Sequence, residues 1–132
     1  MKFPFTNPFR RPFGKANKDT TDGARAEALA ADYLQKQGLR VLARNFRVRG
    51  GEIDLIARDG QTTVFVEVRL RRSAYFGGAA ASITPAKRQR LILAARHWLA
   101  AHGDRVCRFD CVLLDATRME AIQWLQNAFD AD

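Results

Sequence analysis

The chain has 132 residues, a hydrophobic content of 47% and a formal net charge of +8 at pH 7. This length suits one domain with a hydrophobic core, and the apolar content argues against an intrinsically disordered chain. Because no apolar run approaches the roughly 20 residues of a membrane span and the N-terminal residues lack the apolar stretch of a signal peptide, we expect a cytoplasmic protein with no membrane partner.

The first segment, residues 1–18, is predicted to be a flexible tail. It holds five basic residues and no acidic one, so the domain predicted for residues 19–132 carries only +3 of the net charge of +8. Proline recurs at Pro4, Pro8 and Pro12, each followed by phenylalanine, and this spacing is incompatible with a regular helix. Its Phe and Arg residues suit docking on a partner, or stacking and charge contacts with a nucleic acid. Disorder without a specific role is the alternative.

A helix is predicted from Thr20 to Gln37, where Gly38 ends it. Its apolar residues recur at helical spacing and form one stripe, which consists of Ala26, Leu29, Ala30, Tyr33 and Leu34. Glu27 lies at the edge of that stripe, so it can point past the packed face toward a neighbouring site. The alternative is an ordinary acid near the helix start, favoured by the helix dipole, and geometry alone favours this alternative.

A strand is predicted from Leu39 to Arg47, followed by a hairpin from Gly50 to Arg72. Residues alternate with a period of two on both sides of Asp59-Gly60, which indicates two strands joined by a tight turn. Asp54 and Glu67 lie inside these strands, between large apolar residues. A carboxylate in such a place is costly to desolvate unless it is ion-paired, hydrogen-bonded or bound to a cation.

The register of the hairpin decides whether the two acids meet. A two-residue turn at Asp59-Gly60 pairs Arg58 with Gln61. Glu67 then becomes a diagonal neighbour of Asp54 on the same face, with Cα atoms roughly 7–8 Å apart. A four-residue loop would place the two acids directly opposite each other, and a register slipped by one residue would send them to opposite faces. Two solvent-facing acids are the remaining alternative, although the surrounding residues leave no clearly polar face.

The segment from Arg71 to Ile83 is predicted to be a flexible, glycine-containing loop. Thr84 caps a second helix that begins at Pro85 and continues to about His102. A strong strand follows from Val106 to Leu114, and then a short strand around residues 121–125. We therefore predict an α/β fold with a mixed sheet and the element order α-β-β-β-α-β-β.

Basic residues cluster near the two strand acids and at the start of the second helix. Clusters beside a cleft can follow a phosphate backbone even when the net charge is modest. The predicted nucleic-acid-binding residues are Arg44, Arg71, Arg72, Lys87, Arg88 and Arg90. For any single arginine, solvated surface charge is the alternative and the better interpretation.

The acids point to metal-dependent chemistry. Glu27, Asp54 and Glu67 supply the hard oxygen ligands that Mg²⁺ prefers, and this ion often takes one or two carboxylates plus a substrate phosphate. Such an ion can activate water and stabilise the charge of an attacked phosphodiester. We predict that the three carboxylates bind Mg²⁺ or Mn²⁺ beside Arg69. The sequence contains no glycine-rich phosphate loop of the Walker type.

Several motifs resemble the bacterial YraN-like family. They are G-x-x-x-E-x-x-A-x-x-Y-L-x-x-x-G from Gly23 to Gly38, Arg44-Asn45, GEIDLI at 51–56, VFVEV at 64–68 and Arg108-Phe109-Asp110. The resemblance covers about Thr20 to Phe129. That family is similar in pattern to restriction-endonuclease-like nucleases of the PD-(D/E)XK type, including archaeal Holliday-junction resolvases. The resemblance implies a restriction-endonuclease-like core of a helix, three strands, a helix and a strand, and metal-dependent cleavage of phosphodiester bonds.

By position, Glu27 matches the helix acid of those nucleases, Asp54 the motif aspartate and Glu67 the second motif acid. The motif lysine is replaced here by Arg69, which can hold a phosphate or orient water but cannot act as a general base. Lys87 is a candidate for a migrated amine, although a lysine at a helix start is usually solvated. Resolvases of this fold act as dimers, so a homodimer is a further expectation.

Two functions remain open. The first is a Mg²⁺-dependent DNA endonuclease that acts on branched or damaged DNA, with Glu27, Asp54, Glu67 and Arg69 as its catalytic residues. The second is a non-catalytic protein of nuclease fold that binds nucleic acid or a protein partner. The three acids favour the first function and Arg69 favours the second. We favour the endonuclease, although similarity at the level of the fold does not decide function.

Overall fold

The computed structural model describes residues 21–71, 83–103, 106–115 and 118–131. Residues 1–18, the predicted tail, and Arg72 lie outside these described residues. The helices and strands are α1 (Thr21–Lys36), β1 (Arg40–Val48), β2 (Gly51–Asp59), β3 (Thr62–Arg71), α2 (Pro85–His102), β4 (Cys107–Asp115) and β5 (Arg118–Phe129). This is the predicted element order. The largest difference between the predicted and the observed bounds is in the last strand. β5 is 12 residues long, whereas a short strand was predicted around residues 121–125.

Both helices end where the local sequence predicts, and α2 also begins there. Thr84 Oγ1 accepts a hydrogen bond of 3.2 Å from the Lys87 backbone N–H, and Pro85 occupies the first turn of α2. Gly38 and Gly103 follow the two helices with φ angles of 101° and 97°, a conformation that a Cβ disfavours. Neither of the two described helices is long and apolar enough to cross a lipid bilayer.

The five strands form one mixed sheet in the order β1-β2-β3-β4-β5. The β1–β2, β2–β3 and β4–β5 pairs are antiparallel, whereas β3 and β4 are parallel. Parallel neighbours need a long crossover connection, and α2 lies in the connection between β3 and β4. The architecture is therefore the α/β class with a mixed sheet that the sequence predicts.

The two helices cover opposite faces of the sheet, which we call the α1 face and the α2 face. The core on the α1 face includes Ala30, Leu34, Leu55, Val66 and Val112. The core on the α2 face includes Ile56, Phe65, Leu91, Ala94 and Cys111. Successive residues of a strand point to opposite faces, so Val66 packs under α1 and Phe65 packs under α2. Side chains at both faces of β3 are consequently buried.

Helix α2 lies so close to β2 that Gly51 has no room for a side chain. A Cβ on Gly51 would lie 2.5 Å from the Arg90 carbonyl oxygen and 3.1 Å from the Ala94 backbone nitrogen. These are atoms of the helix backbone, so a change of side-chain rotamer cannot relieve the contact. Glycine at this position therefore sets the distance between α2 and the sheet.

The turn between β2 and β3 lies one residue later than predicted. Arg58 pairs with Thr63, and the loop residues are Gly60 and Gln61. The prediction that Arg58 pairs with Gln61 is wrong because Gly60, with a φ of 61°, takes the first loop position. That is the position at which a type II′ hairpin turn requires glycine.

Candidate active site

Asp54 and Glu67 lie at the point where β2 and β3 stop pairing. The last pair in this direction is Leu55 with Val66, and the same register continued by one residue brings Asp54 opposite Glu67. Both acids are buried, each with 3% of its surface exposed. The predicted diagonal register is therefore wrong, and the later turn gives the register that the sequence offered as an alternative for a four-residue loop, although the paired residues themselves end at Leu55 and Val66.

Asp54 occupies a break in the alternation of β2. Ile53 and Ile56 both enter the core on the α2 face, whereas Leu55 enters the core on the α1 face. A strict period of two would place Ile53 with Leu55, so the predicted alternation is wrong at Ile53. At this break the Asp54 carboxylate reaches the backbone of β3, where its Oδ2 accepts a hydrogen bond of 2.8 Å from the Val68 N–H.

The neighbouring strand β1 is distorted at the same level. Asn45 lies between the pairs Arg44–Leu55 and Phe46–Ile53 and has a φ of 51°. Non-glycine residues seldom adopt this left-handed conformation, and asparagine adopts it more readily than most. Irregularities of this kind often re-aim a side chain beside a functional site.

Glu67 contacts two cations on the α2 face. Its Oε2 lies 3.4 Å from Lys87 Nζ and 3.7 Å from a guanidinium nitrogen of Arg69. Lys87 is in the first turn of α2, where its backbone N–H bonds the Thr84 cap, and Arg69 lies two residues after Glu67 on the same side of β3. The side chains of Lys87 and Arg69 are 31% and 33% exposed. A buried carboxylate is thus balanced by two positive charges that also reach solvent.

Glu27 is buried on α1, with 8% of its surface exposed. Its helix neighbours Ala26, Ala30 and Ala31 belong to the core on the α1 face, whereas Lys87 approaches Glu67 from the α2 face. Glu27 and Lys87 are therefore carried by helices that pack on opposite faces of the sheet. The role of Glu27 as an acid of the site, and the alternative of an ordinary acid near the helix start favoured by the helix dipole, both stay predictions.

Within the described ranges, no three His, Cys, Asp or Glu side chains are grouped closely enough to hold a metal ion. Binding of one ion by Glu27, Asp54 and Glu67 together consequently stays a prediction. Asp54 and Glu67 alone offer buried carboxylate oxygens, and Mg²⁺ commonly takes one or two carboxylates and completes its shell with water and substrate phosphate. The donor chemistry of Asp54 and Glu67 therefore fits Mg²⁺ or Mn²⁺.

The predicted nucleic-acid-binding residues have different surroundings. Arg44 and Arg90 are exposed, and Arg71 is half-buried. Arg88 instead donates from Nε to a backbone carbonyl oxygen just before α2 at 3.2 Å, and its guanidinium carbon lies 5.4 Å from the centre of the Phe129 ring. Because these contacts hold Arg88 against the protein, the exposed Arg44 and Arg90 are better candidates for phosphate contacts than Arg88.

Sequence reasoning assigned no role to Asp110 in β4, which is only 1% exposed. Its carboxylate accepts hydrogen bonds from Arg108 Nε at 3.0 and 3.2 Å, from Trp124 Nε1 at 2.9 Å and from the Asn127 N–H at 3.0 Å. The available signal was the motif Arg108-Phe109-Asp110, whose period of two places the arginine and the aspartate on one face. We call these contacts the Asp110 network.

Arg108 extends the Asp110 network to the β2–β3 hairpin through a bond of 3.0 Å to Asp59. Burial lowers the pKa of the Arg108 guanidinium, but the hydrogen bonds and charges of Asp110 and Asp59 outweigh this effect, so the pKa is raised overall. The network joins β4 to the hairpin and to β5. Asp110 pairs with Val66, the residue before Glu67, but it lies on the other face of the sheet, because it alternates with Phe109 and Cys111 of the core on the α2 face.

Comparisons with known proteins agree with one another. A family model described as "Uncharacterised protein family UPF0102" matches residues 26–114. A UPF0102 protein from Dechloromonas aromatica is 57% identical over 119 residues, which cover 89% of this chain and 97% of that protein. One from Methylobacillus flagellatus is 60% identical over 109 residues, covering 83% and 96%. One from Yersinia pseudotuberculosis is 53% identical over 121 residues, covering 89% and 99%.

Proposed function

The chain belongs to the UPF0102 family, as its YraN-like motifs indicated, and we propose that this member is a metal-dependent endonuclease that hydrolyses phosphodiester bonds in DNA. The names of its relatives state no activity, so the proposal rests on the site of this chain. We also propose that its first six elements form a restriction-endonuclease-like core, because they follow the order helix, three strands, helix, strand.

The observation that carries the proposal is the position of Asp54 and Glu67. Two buried carboxylates on adjacent strands, each one residue beyond the last paired residues, are costly to desolvate. A chain selected for stability alone would gain by replacing them with apolar residues. Buried carboxylates that lower stability, and that lie near cations and solvent, are more typical of a functional site than of a structural one.

Asp54 and Glu67 would hold the ion, and Glu27 is proposed as the third acid of the site. A bound Mg²⁺ or Mn²⁺ supplies Lewis-acid chemistry there, polarising the scissile phosphate and lowering the pKa of water. The bond from the Val68 N–H to Asp54 Oδ2 fixes the orientation of that carboxylate. The Asp54 carboxylate, held in this orientation, is proposed to contribute to the ion site.

Arg69 and Lys87 are proposed to share the work of the motif lysine. Arg69 stays protonated, so it supplies a fixed positive charge for a phosphate oxygen. Lys87 carries an amine that can hold or release a proton at Nζ, which a guanidinium cannot do. Its ion pair with Glu67 keeps that amine at the carboxylate where the reacting groups would meet.

The proposed substrate is branched or damaged DNA, and the proposed assembly is a homodimer. Both proposals come from the similarity of the motifs to those of resolvases, and Arg44, Arg71, Arg72 and Arg90 are proposed to contact phosphates. The single-stranded or distorted segments of such substrates would let a strand approach the site at which β2 and β3 stop pairing.

The test is cleavage of linear duplex, single-stranded and four-way DNA with Mg²⁺ or Mn²⁺. Wild type should cut at least one substrate and Asp54→Ala should cut none. Asp32→Ala is a matched control, because Asp32 is an exposed acid of α1 paired only with Lys36 at 3.2 Å within the described residues. Cutting by wild type and Asp54→Ala alike would show that the activity does not come from this site.

A second function is favoured by the ion pairs of Glu67. Because two cations already neutralise Glu67 and Arg69 replaces the motif lysine, the fold could bind nucleic acid or a protein partner without cutting. In that case wild type and Asp54→Ala would bind DNA equally in the absence of metal, and neither would cleave it.

A further inference from the structure

The outer surface of α2 carries a basic patch with an apolar centre. Leu93 lies at this centre with 36% of its surface exposed, and the exposed residues Arg90, Arg96 and His97 lie three or four positions away on the same helix face. The β1–β2 turn adjoins them, because a Cβ on Gly50 would lie 3.1 Å from Leu93 Cδ2. We call Arg49, Gly50, Arg90, Leu93, Arg96 and His97 the Leu93 patch.

No acid neutralises the Leu93 patch from its own segments. Asp and Glu are missing from the sequence between Leu39 and Gly51 and between Pro85 and Gly103. Across the part of the chain that the structure describes, no salt bridge includes Arg49, Arg90 or Arg96. Uncompensated arginines on one surface create a positive field that attracts a polyanion.

Helix α2 connects the Leu93 patch to the candidate site. Lys87, whose Nζ lies 3.4 Å from Glu67, precedes Arg90 by three residues and Arg96 by nine. At a rise of 1.5 Å per residue, Arg90 and Arg96 lie roughly 5 and 14 Å from Lys87 along the helix axis. Phosphates of one DNA strand follow each other every 3.4 Å or so along the duplex axis. Measured along the helix axis alone, the separation of Lys87 and Arg96 therefore corresponds to about four phosphate steps.

We propose that the Leu93 patch binds the phosphate backbone of duplex DNA on one side of the cleavage site. The inference rests on the proposed function, because it describes the path of the same substrate. Arg49, Arg90 and Arg96 contact phosphates, and Leu93 packs against deoxyribose. A rigid helix presents its charges at fixed spacing, which suits the regular phosphates of a duplex better than a flexible single strand.

The test measures binding of a fluorescent linear duplex in EDTA by anisotropy over a salt titration, so that it does not depend on cleavage. Arg90→Glu/Arg96→Glu should lower the affinity at least tenfold. It should also reduce the slope of log affinity against log salt by about two, since each phosphate contact contributes about 0.9. Leu93→Ala should lower the affinity two- to fivefold with an unchanged slope, because it removes an apolar contact and no charge.

The matched control is Lys36→Glu/Arg40→Glu, which makes the same change in net charge. Both residues are exposed, and Arg40 pairs with Arg58 at the end of the sheet near the hairpin turn. The control should leave affinity and slope close to those of wild type. Circular dichroism verifies folding, and Arg90→Gln/Arg96→Gln, a milder variant, should show about half of the loss of affinity on a logarithmic scale.

Several results would overturn the inference. Wild type could fail to bind the duplex, or Arg90→Glu/Arg96→Glu could bind it with the affinity and salt slope of wild type. The control Lys36→Glu/Arg40→Glu could lose as much duplex affinity as Arg90→Glu/Arg96→Glu. Finally, Arg90→Glu/Arg96→Glu could lose as much affinity for single-stranded DNA as for the duplex. A variant that loses binding to phosphatidylserine vesicles but keeps duplex binding would show that the patch meets membranes. If wild type binds duplex DNA through the Leu93 patch but cuts no DNA, the result contradicts the proposed endonuclease activity and supports the proposed binding by the patch. If wild type cuts DNA and the variants bind duplex DNA like wild type, the result contradicts only the proposed binding by the Leu93 patch.

Discussion

Lys87 Nζ lies 3.4 Å from Glu67 Oε2, although twenty positions separate the two residues in the sequence. This contact brings an amine of α2 to a carboxylate of β3, the strand in which Arg69 replaces the motif lysine. The distance depends on how closely α2 approaches the sheet, and Gly51 permits that approach. The close packing of α2 against the sheet is therefore what places Lys87 in the candidate site.

Metal binding should depend on Asp54. We expect Asp54→Ala to weaken binding of Mg²⁺ or Mn²⁺ by at least about tenfold, the scale on which metal sites respond to loss of a contributing side chain. Isothermal titration calorimetry measures this change, and Asp32→Ala should bind like wild type. Equal affinity in wild type and Asp54→Ala would remove Asp54 from the metal site.

Lys87 should be needed for cleavage and not for binding. Lys87→Ala should slow single-turnover cleavage by about 10²-fold or more, because a positioned proton-transfer group usually contributes that much. It should lower the affinity for DNA in EDTA by less than about threefold, because at most one contact to a phosphate is lost. Lys87→Arg keeps a positive charge near Glu67 but cannot release a proton, so it should remain slow. Full activity in Lys87→Arg would mean that only the charge matters.

Arg69 should hold phosphate rather than metal. Arg69→Lys should keep or raise cleavage, because lysine restores the motif residue and can also exchange a proton when desolvated. Arg69→Ala should lose cleavage and keep metal binding, since the carboxylates remain. Single-turnover assays of both variants and of Asp54→Ala on one branched substrate measure the effect. Faster cleavage by Arg69→Ala than by wild type would contradict the role given to Arg69.

Gly51 should tolerate no side chain. Gly51→Ala would place a Cβ 2.5 Å from the Arg90 carbonyl oxygen, so α2 must shift, and we expect a loss of about 3 kcal/mol in the free energy of unfolding. Ala100→Ser is the control, because Ala100 is an exposed residue of α2 and substitutions at such surface positions usually change the free energy of unfolding by less than about 0.5 kcal/mol. Urea denaturation compares the two variants. Similar small losses in both would mean that the α2–β2 contact is easily relieved.

The Asp110 network should contribute strongly to stability. Asp110→Ala leaves Arg108, Trp124 and Asn127 without their shared acceptor, and removing one partner of a buried charged pair costs about 3–5 kcal/mol. Glu120→Ala, at an exposed acid paired with Arg118 at 3.8 Å, should cost less than about 1 kcal/mol. Urea denaturation measures both losses.

The pH dependence of this difference follows from Arg108. Its pKa is raised in the folded protein, so its stabilising contribution is fully present below the ordinary pKa of arginine and is lost only as pH rises through the raised value. The difference in unfolding free energy between wild type and Asp110→Ala should therefore not shrink between neutral and moderately alkaline pH. A steady decrease over that range would contradict the pairing of Arg108 with Asp110.

Local sequence patterns were sufficient to predict the helices and strands and their order. Apolar residues at a period of two marked β2 and β3, and the Thr84 cap with Pro85 marked the start of α2, because such signals act between residues near each other in the chain. The sequence also identified Asp54 and Glu67 as buried acids, since a carboxylate between large apolar residues of a strand has no polar face to occupy. The family followed from the same motifs.

The register that brings Asp54 and Glu67 near each other, and the cations that contact Glu67, depend on packing between distant parts of the chain. A register that moves by two residues leaves every side chain on its own face, so alternation could not distinguish the diagonal from the opposed arrangement of Asp54 and Glu67. The position of Gly60 in the turn decided it. The reach of Lys87 to Glu67 and the burial of Glu27 depend on the packing of α2 and α1 against the sheet, and no local pattern encodes the distance between a helix and a strand that lie far apart in the sequence.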